Sequence, residues 1–302
     1  MQTNKDKEII VWRMDTMNDT FTILTDSTSN LPRPYIEKYG IIVLPLTYLV
    51  DDREYPGYSD EPEDSFGQLY EHLRNGKPIT TSMVNKSIAY EVAKRVLEQG
   101  KDLLYIGLSS KLSGTYYAVE SALNTLKGEF PERKIYAVDS LCVALGEGML
   151  VYEAVKGKKQ DKCLAEIYDW CSRCRWQVNT VFTVDDLNHL RRSGRASSAI
   201  AVVGTVLKIK LILRMNNGGI LKQETKVRGR KKSLDEIVKR VLQGMDREQM
   251  VFVSHGDCPE DAKYVADGLY RSEKVTKVIL NTLDPVIGIH TGPGSIGIFY
   301  ME

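Results

Sequence analysis

The sequence predicts an α/β fold in two domains, a first on a mainly parallel sheet with flanking helices and a second of mixed α/β character. Two patterns and one constraint predict it. Short β-branched runs alternate with stretches of helical period, the order expected of strand–helix–strand units. Polar turn residues follow each early run, and a chain of 302 residues is longer than one hydrophobic core usually fills.

In the first half, strands are expected over 21–24, 41–46, 103–108 and 135–138 from their β-branched and apolar content. Each is followed by turn chemistry: Asp26-Ser27-Thr28-Ser29, Asp51-Asp52, Ser109-Ser110 and Asp139-Ser140. Ligands of such sheets sit outside the carboxyl ends of the strands, where these loops collect. Helical periodicity places helices over 32–39, 65–74, 87–99, 114–126, 145–156 and 161–174.

In the second half, a strand over 178–183 leads to a short helix ending near Arg192 and a small-residue segment over 193–204. Segments 208–214 and 220–227 form a hairpin across Asn216-Asn217-Gly218-Gly219, because Asn-Gly supplies the positive φ angles of a tight turn. A strand over 250–254, a helix over 259–270 and strands near Val278 and Ile298 complete the chain. The domain boundary falls near Arg175, giving domains 21–175 and 176–302, with residues 1–20 read as a disordered or added extension.

Composition excludes several function classes. With 41 basic against 40 acidic side chains, no global field recruits nucleic acid or an anionic membrane. The apolar stretch 41–50 is interrupted by Pro45 and is far too short for a membrane span. Residues 1–20 mix Lys5, Asp6, Lys7, Glu8, Arg13 and Asp15 with only a few apolar residues, so no signal-peptide core is expected. Five cysteines without framework spacing fit a reduced, cytoplasmic location.

Three polar clusters remain for chemistry. The first, Ser109 to Tyr116 (SSKLSGTY), follows an apolar run, so its hydroxyls and free N–H groups mark a helix entrance that binds an anion. The second, Thr80-Thr81-Ser82, reads as another helix entrance before the helix over 87–99. The third, Gly288 to Ser295 (GIHTGPGS), reads as an irregular glycine-rich loop with His290 inside it, able to add positive charge near neutral pH. No acid or histidine lies near enough in sequence to activate a serine of the first cluster, which favours binding over nucleophilic chemistry. Taken singly, each cluster also has a plainer reading: strand end and helix cap for the hydroxyls, structural hydrogen bonding for the histidine.

The order Asp26-Ser27-Thr28-Ser29-Asn30-Leu31, Thr81-Ser82, Ser109 to Tyr116, Arg191 to Arg195 and His290 to Gly294 resembles that of the DegV family of bacterial fatty-acid-binding proteins, from about Phe21 onward. The resemblance implies a two-domain α/β protein enclosing one long-chain fatty acid, with no other cofactor and its carboxylate at the domain interface. It also implies a fatty acid kinase as partner, to which such carriers present the carboxylate before holding the acyl-phosphate. Carried over by position, Thr81, Ser82, Ser113 and Gly114 are the implied carboxylate-binding group of the first domain, with His290 and Thr291 from the second. Arg191, Arg192, Arg195, Ser109 and Ser110 are further candidates for head-group or phosphate contact. The chain departs from the family pattern at Met83-Val84-Asn85 in place of Gln-Pro-Ser, at Lys210-Leu211 in place of Lys-Pro, and at Asn30 in place of Asp.

Magnitudes divide the labour of such a site. A helix N-terminus stabilises a carboxylate by roughly 0.3–2 kcal/mol. Burying about fourteen methylenes at about 0.8 kcal/mol each supplies on the order of 11 kcal/mol. Affinity therefore comes from an apolar tunnel, and the polar cluster sets orientation.

Three tempting motifs fail on context. Trp170-Cys171-Ser172-Arg173-Cys174 mimics a redox motif but lies inside a helical pattern with both cysteines on its apolar face. Gly292 to Gly297 matches G-x-G-x-x-G with too little chain after it for a dinucleotide unit. The basic run 226–232 reads as a solvated helix start, with partner docking left open. His72, His189 and His255 get structural readings, and no spacing among histidines and acids makes a metal site. Two functions of different class survive: a carrier without turnover, and a phospho- or acyl-transferase on an acidic lipid with His290 as catalytic residue. An enzyme calls for a base with an orienting partner or a metal site, and the sequence supplies neither.

Overall fold

A computed structural model describes residues 20–58, 65–195 and 209–302. Part of the 193–204 segment, the extension 1–19 and the arginine-free stretch 196–208 therefore lie outside the described residues. The first sheet contains β1 (Phe21–Asp26), β2 (Ile42–Leu44), β6 (Asp102–Gly107) and β7 (Ile135–Asp139), all parallel in the order β2-β1-β6-β7. A small antiparallel sheet joins β3 (Thr47–Val50), β4 (Arg53–Pro56) and β5 (Thr80–Ser82), with β3 in the middle.

Two expectations change here. The run 41–46 is not one strand: β2 ends before Pro45, which cannot donate to a ladder, and the chain re-enters a different sheet at β3. Thr80-Thr81-Ser82 is not a helix entrance but the strand β5, whose β-branched threonines pair opposite Leu49 and Tyr48. The helix entrance falls at Asn85, whose Oδ1 accepts from the backbone N–H of Ser87 at 2.8 Å.

Helices α1 (Arg33–Tyr39), α2 (Ser65–Arg74), α3 (Lys86–Glu98), α4 (Thr115–Glu129), α5 (Leu145–Lys159) and α6 (Leu164–Cys174) follow the predicted order. Leu24, Leu103 and Tyr105 on one face of the first sheet pack with α3 and α4. Ile23, Leu104 and Ile106 on the other face pack with α5 and α6. Helix α5 has no single wet face, because it also meets the second sheet through Phe252 and Phe299. Cys171 and Cys174 are buried in the same core as free thiols.

After α6 the chain enters the second sheet with β8 (Val178–Thr183) and α7 (Leu187–Ser193). It continues with β9 (Ile209–Met215), β10 (Leu221–Arg228), α8 (Arg230–Gly244), β11 (Gln249–His255), α9 (Pro259–Leu269), β12 (Val275–Thr282), α10 (Pro285–Thr291) and β13 (Ile296–Met301). The strand order is β10-β9-β8-β13-β11-β12, with only β11 and β12 parallel. The β9–β10 hairpin forms, but by a different turn from the one expected. Only Gly219 has positive φ (72°), and its N–H bonds the Asn216 carbonyl at 2.9 Å. The loop thus places a single left-handed glycine before the return strand.

Asn30 links the two main sheets. It sits at φ 56°, a left-handed position that asparagine tolerates better than most residues. Its Nδ2 donates to the Thr282 carbonyl at 2.6 Å, and its Oδ1 accepts from the Ser254 hydroxyl at 2.8 Å. Asn30→Ala removes both bonds and leaves the buried Ser254 hydroxyl without its acceptor, so it should destabilise the protein by about 2–4 kcal/mol in urea unfolding. Asn30→Gly relieves the left-handed strain without restoring the bonds. It should recover no more than about 1–2 kcal/mol of that loss; full recovery would show that the two bonds contribute nothing.

Candidate ligand-binding site

One cavity of about 270 Å³ opens between the sheets, lined chiefly by apolar side chains such as Leu46, Leu108, Val143, Phe182, Val286 and Phe299. Its polar groups come from separate elements. Thr81 and Ser82 stand on β5, Ser113 and Gly114 precede α4, His290 and Thr291 close α10, and Arg195 follows α7. Thr81 Oγ1 and His290 Nε2 meet at 2.9 Å, joining the small sheet to α10 across 209 positions of sequence.

The local chemistry fixes each side chain. Ser113 Oγ accepts from Thr115 N–H at 3.2 Å and lies 3.0 Å from Thr115 Oγ1, the hydroxyl arrangement of a helix start. Thr291 Oγ1 donates to the Ile287 carbonyl at 3.0 Å and lies 3.0 Å from Ser295 Oγ. The stretch Gly288 to Ser295, expected as an irregular loop, is helical through Thr291. Asp284 Oδ1 caps α10 by accepting from Val286 and Ile287 N–H at 2.8 and 3.3 Å, with Pro285 at the first helical position. The Asp-Pro pair was a legible start signal that the glycines after it obscured. Gly292 and Gly294 then turn the chain at φ 80° and 76°, positions that a side chain would strain.

The remaining predicted residues lie elsewhere. Ser109 is buried, and its Oγ donates to the Gly219 carbonyl at 3.0 Å, tying the first sheet to the β9–β10 hairpin. Ser110 N–H bonds Asp139 Oδ1 at 3.1 Å. Neither lines the cavity, and neither do Arg191 and Arg192, exposed on α7; of the three arginines only Arg195 does. Among the described residues no three His, Cys, Asp or Glu side chains gather as metal ligands would.

Electrostatics also revise an expectation. Burial, with a smaller contribution from Arg195, pushes the His290 ring down to about 4, so it is neutral at ordinary pH and does not carry the charge expected from sequence. Burial pushes Asp284 up to about 7 against its backbone hydrogen bonds.

Behind the polar groups lies a buried acid pair. Asp26 accepts from Thr28 N–H at 3.1 Å, Thr28 Oγ1 at 2.5 Å, Tyr105 OH at 3.0 Å and Leu108 N–H at 3.1 Å. Thr28 Oγ1 also lies 2.9 Å from Glu147 Oε2. A hydroxyl has one proton, and Asp26 takes it at the shorter distance. Burial pushes both carboxyls above their ordinary values, Glu147 also through its nearness to Asp26, and with Asp26 already holding four donors the proton of the second contact is assigned to Glu147.

The fold and site define a class: an α/β protein of two main sheets and one small one, with a mainly apolar cavity between them whose polar groups come from separate elements. The chain belongs to the DegV family, whose profile, described as "Uncharacterised protein, DegV family", matches residues 20–302. A DegV domain-containing protein of Clostridium perfringens is 37% identical over 285 residues, covering 93% of this chain and 97% of its own. A Thermus thermophilus structure described as fatty acid binding of a DegV family protein is similar with TM-score 0.84 and 28% identity, covering 94% and 100% of the two chains. A DegV lipid binding protein from Thermotoga maritima is similar with TM-score 0.81 and 26% identity, covering 93% and 97%.

Two outcomes follow from the shifted groups. The native state keeps a proton on Asp284 that the unfolded chain releases near its ordinary value of 3.8, so its stability is full below about pH 4 and is lost progressively up to about 7. Asp284→Asn keeps the cap acceptor without titrating. In urea unfolding it should lose less stability than the parent between about pH 5 and about pH 8; an equal loss would assign the titration to other groups. Separately, the His290 ring should titrate by NMR with a midpoint near about 4, and Arg195→Gln should raise that midpoint. A midpoint at the ordinary value of about 6.5 would contradict the burial argument.

Proposed function

We propose that this protein binds one long-chain fatty acid, its carboxylate among Thr81, Ser82, Ser113, Gly114, His290 and Thr291 and its acyl chain in the apolar cavity. The observation that carries this reading is the make-up of the cavity wall, mainly apolar with Thr81, Ser82, Ser113, His290 and Thr291 set into it and Thr81 Oγ1 meeting His290 Nε2 at 2.9 Å. Its volume is roughly twenty times the ~10–15 Å³ that one water centre needs, the scale of a chain of about twenty non-hydrogen atoms. The fatty-acid and lipid binding ascribed to the two solved relatives supports the same reading.

In this reading the protein is a carrier in the cytoplasm and presents the carboxylate to a separate fatty acid kinase. Hydroxyls and a neutral imidazole suit that task, since they donate to a carboxylate and to a later phosphate without a fixed counter-charge. The transferase alternative gains no comparable support. His290 meets a threonine hydroxyl and faces Arg195, with no carboxylate to orient the ring as a general base among the described residues.

Protein purified from a bacterial host should show one bound fatty acid per chain by native mass spectrometry and lipid extraction. A protein that takes up no fatty acid in any preparation would overturn the reading. His290→Ala should weaken retention about tenfold, corresponding to about 1.4 kcal/mol, or leave the acid bound yet poorly phosphorylated by the kinase. Ser113→Phe, which fills the polar end, should abolish retention.

A further inference from the structure

A second concavity of about 580 Å³ lies on the far side of α5, lined by Met149, Tyr152, Trp170, Arg247 and Phe252 among others. It approaches the ligand cavity closely. Ala144, just before α5, lines the cavity, and Met149 lines the cleft. They are five positions apart, about 7.5 Å at a helical rise of about 1.5 Å per residue.

One aromatic ring stands in that interval. Phe299 is 2% exposed and lines the cavity. Its ring fits between two glycines, one on each side. A Cβ on Gly146 of α5 would fall 2.9 Å from Phe299 Cδ1, and one on Gly297 of β13 would fall 3.1 Å from Cζ. The ring thus bridges helix and strand at a place where both lack side chains. Phe252 is its register partner on β11, and directly paired antiparallel residues project to the same face of a sheet. Phe252 lines the cleft and meets the Tyr152 ring edge-on at 5.7 Å. The order along α5 is therefore cavity, Phe299, Phe252 with Met149, cleft.

The position of Phe299 relative to the polar end gives the ring a role. Ser295, whose Oγ lies 3.0 Å from Thr291 Oγ1, is four residues before Phe299. At about 3.3 Å per strand residue the two are about 13 Å apart along β13. A chain longer than this interval, anchored at Thr291 and running straight beside β13, would run into the Phe299 ring.

We propose that Phe299 is a specificity-determining end stop, which closes the inner end of the cavity and sets the longest straight acyl chain it accepts. This rests on the fatty-acid reading above. Without the ring, cavity and cleft join, and chains longer than the closed compartment extend past Gly146 toward Met149. Phe252 backs the partition from the cleft side and does not set the length by itself.

The test measures affinity for a graded series of straight-chain saturated fatty acids with the full chain and with Phe299→Ala, Phe299→Leu and Phe252→Ala. Phe299→Ala should move the preferred length upward and raise the ratio of long-chain to short-chain affinity by about tenfold or more. Phe299→Leu, which keeps more of the volume, should move it by less, and it carries the test if the alanine variant does not fold. Phe252→Ala should leave the preferred length unchanged. An unchanged preference in folded Phe299→Ala or Phe299→Leu protein overturns the end stop, as does an equal shift from Phe252→Ala. Failure of the parent protein to bind any acid of the series overturns the fatty-acid reading itself, an outcome distinct from both.

Discussion

The Asp26 carboxylate, buried where β1 ends, holds together the parts from which the polar end of the cavity is assembled. Its contacts reach Tyr105 and the Leu108 N–H, at the start of the loop that carries Ser113 and Gly114. Through Thr28 it reaches Glu147 on α5, the helix packed against both sheets. Burial pushes the Asp26 carboxyl above its ordinary value, and the donors of Thr28, Leu108 and Tyr105 oppose that rise by replacing the lost water. The backbone around it is therefore constrained to keep those donors in place.

The same economy recurs in the second sheet. Asn30, four residues beyond Asp26, bonds Ser254 and the Thr282 carbonyl, so the loop after β1 is also the bridge to β11 and β12. Asp284 lies two residues after Thr282 and caps the short helix that ends in His290 and Thr291. Residues far apart in the chain are thus brought to one cavity mouth by a continuous set of buried polar contacts. The Thr81–His290 contact closes the circuit from the third, small sheet.

Electrically, the mouth is quieter than its residue types suggest. Burial keeps His290 neutral and raises Asp284, leaving exposed Arg195 as the cation lining the cavity among the described residues. Such a site orients an acidic ligand by hydrogen bonds and leaves affinity to apolar contact, the division of labour that the magnitudes require. The cavity wall then governs which ligand fits, and the Phe299 ring between Gly146 and Gly297 is one of its closely packed boundaries.

By itself the sequence determined the alternation of strands and helices, the parallel character of the first sheet and the three polar clusters, because periodicity, turn residues and hydroxyl runs are local signals. It misplaced what depends on partners. Thr80 to Ser82 became a strand only because β3 lies beside it, and the 41–46 run was divided between two sheets at Pro45. The glycines around His290 concealed a helix whose Asp-Pro start was present in the chain. Only the tertiary structure decided that Ser109 supports a hairpin while Ser113 faces the cavity, that Arg195 alone of the three arginines lines it, and that His290 is neutral. Side-chain direction, burial and charge state depend on neighbours that are distant in sequence, and no local pattern encodes them.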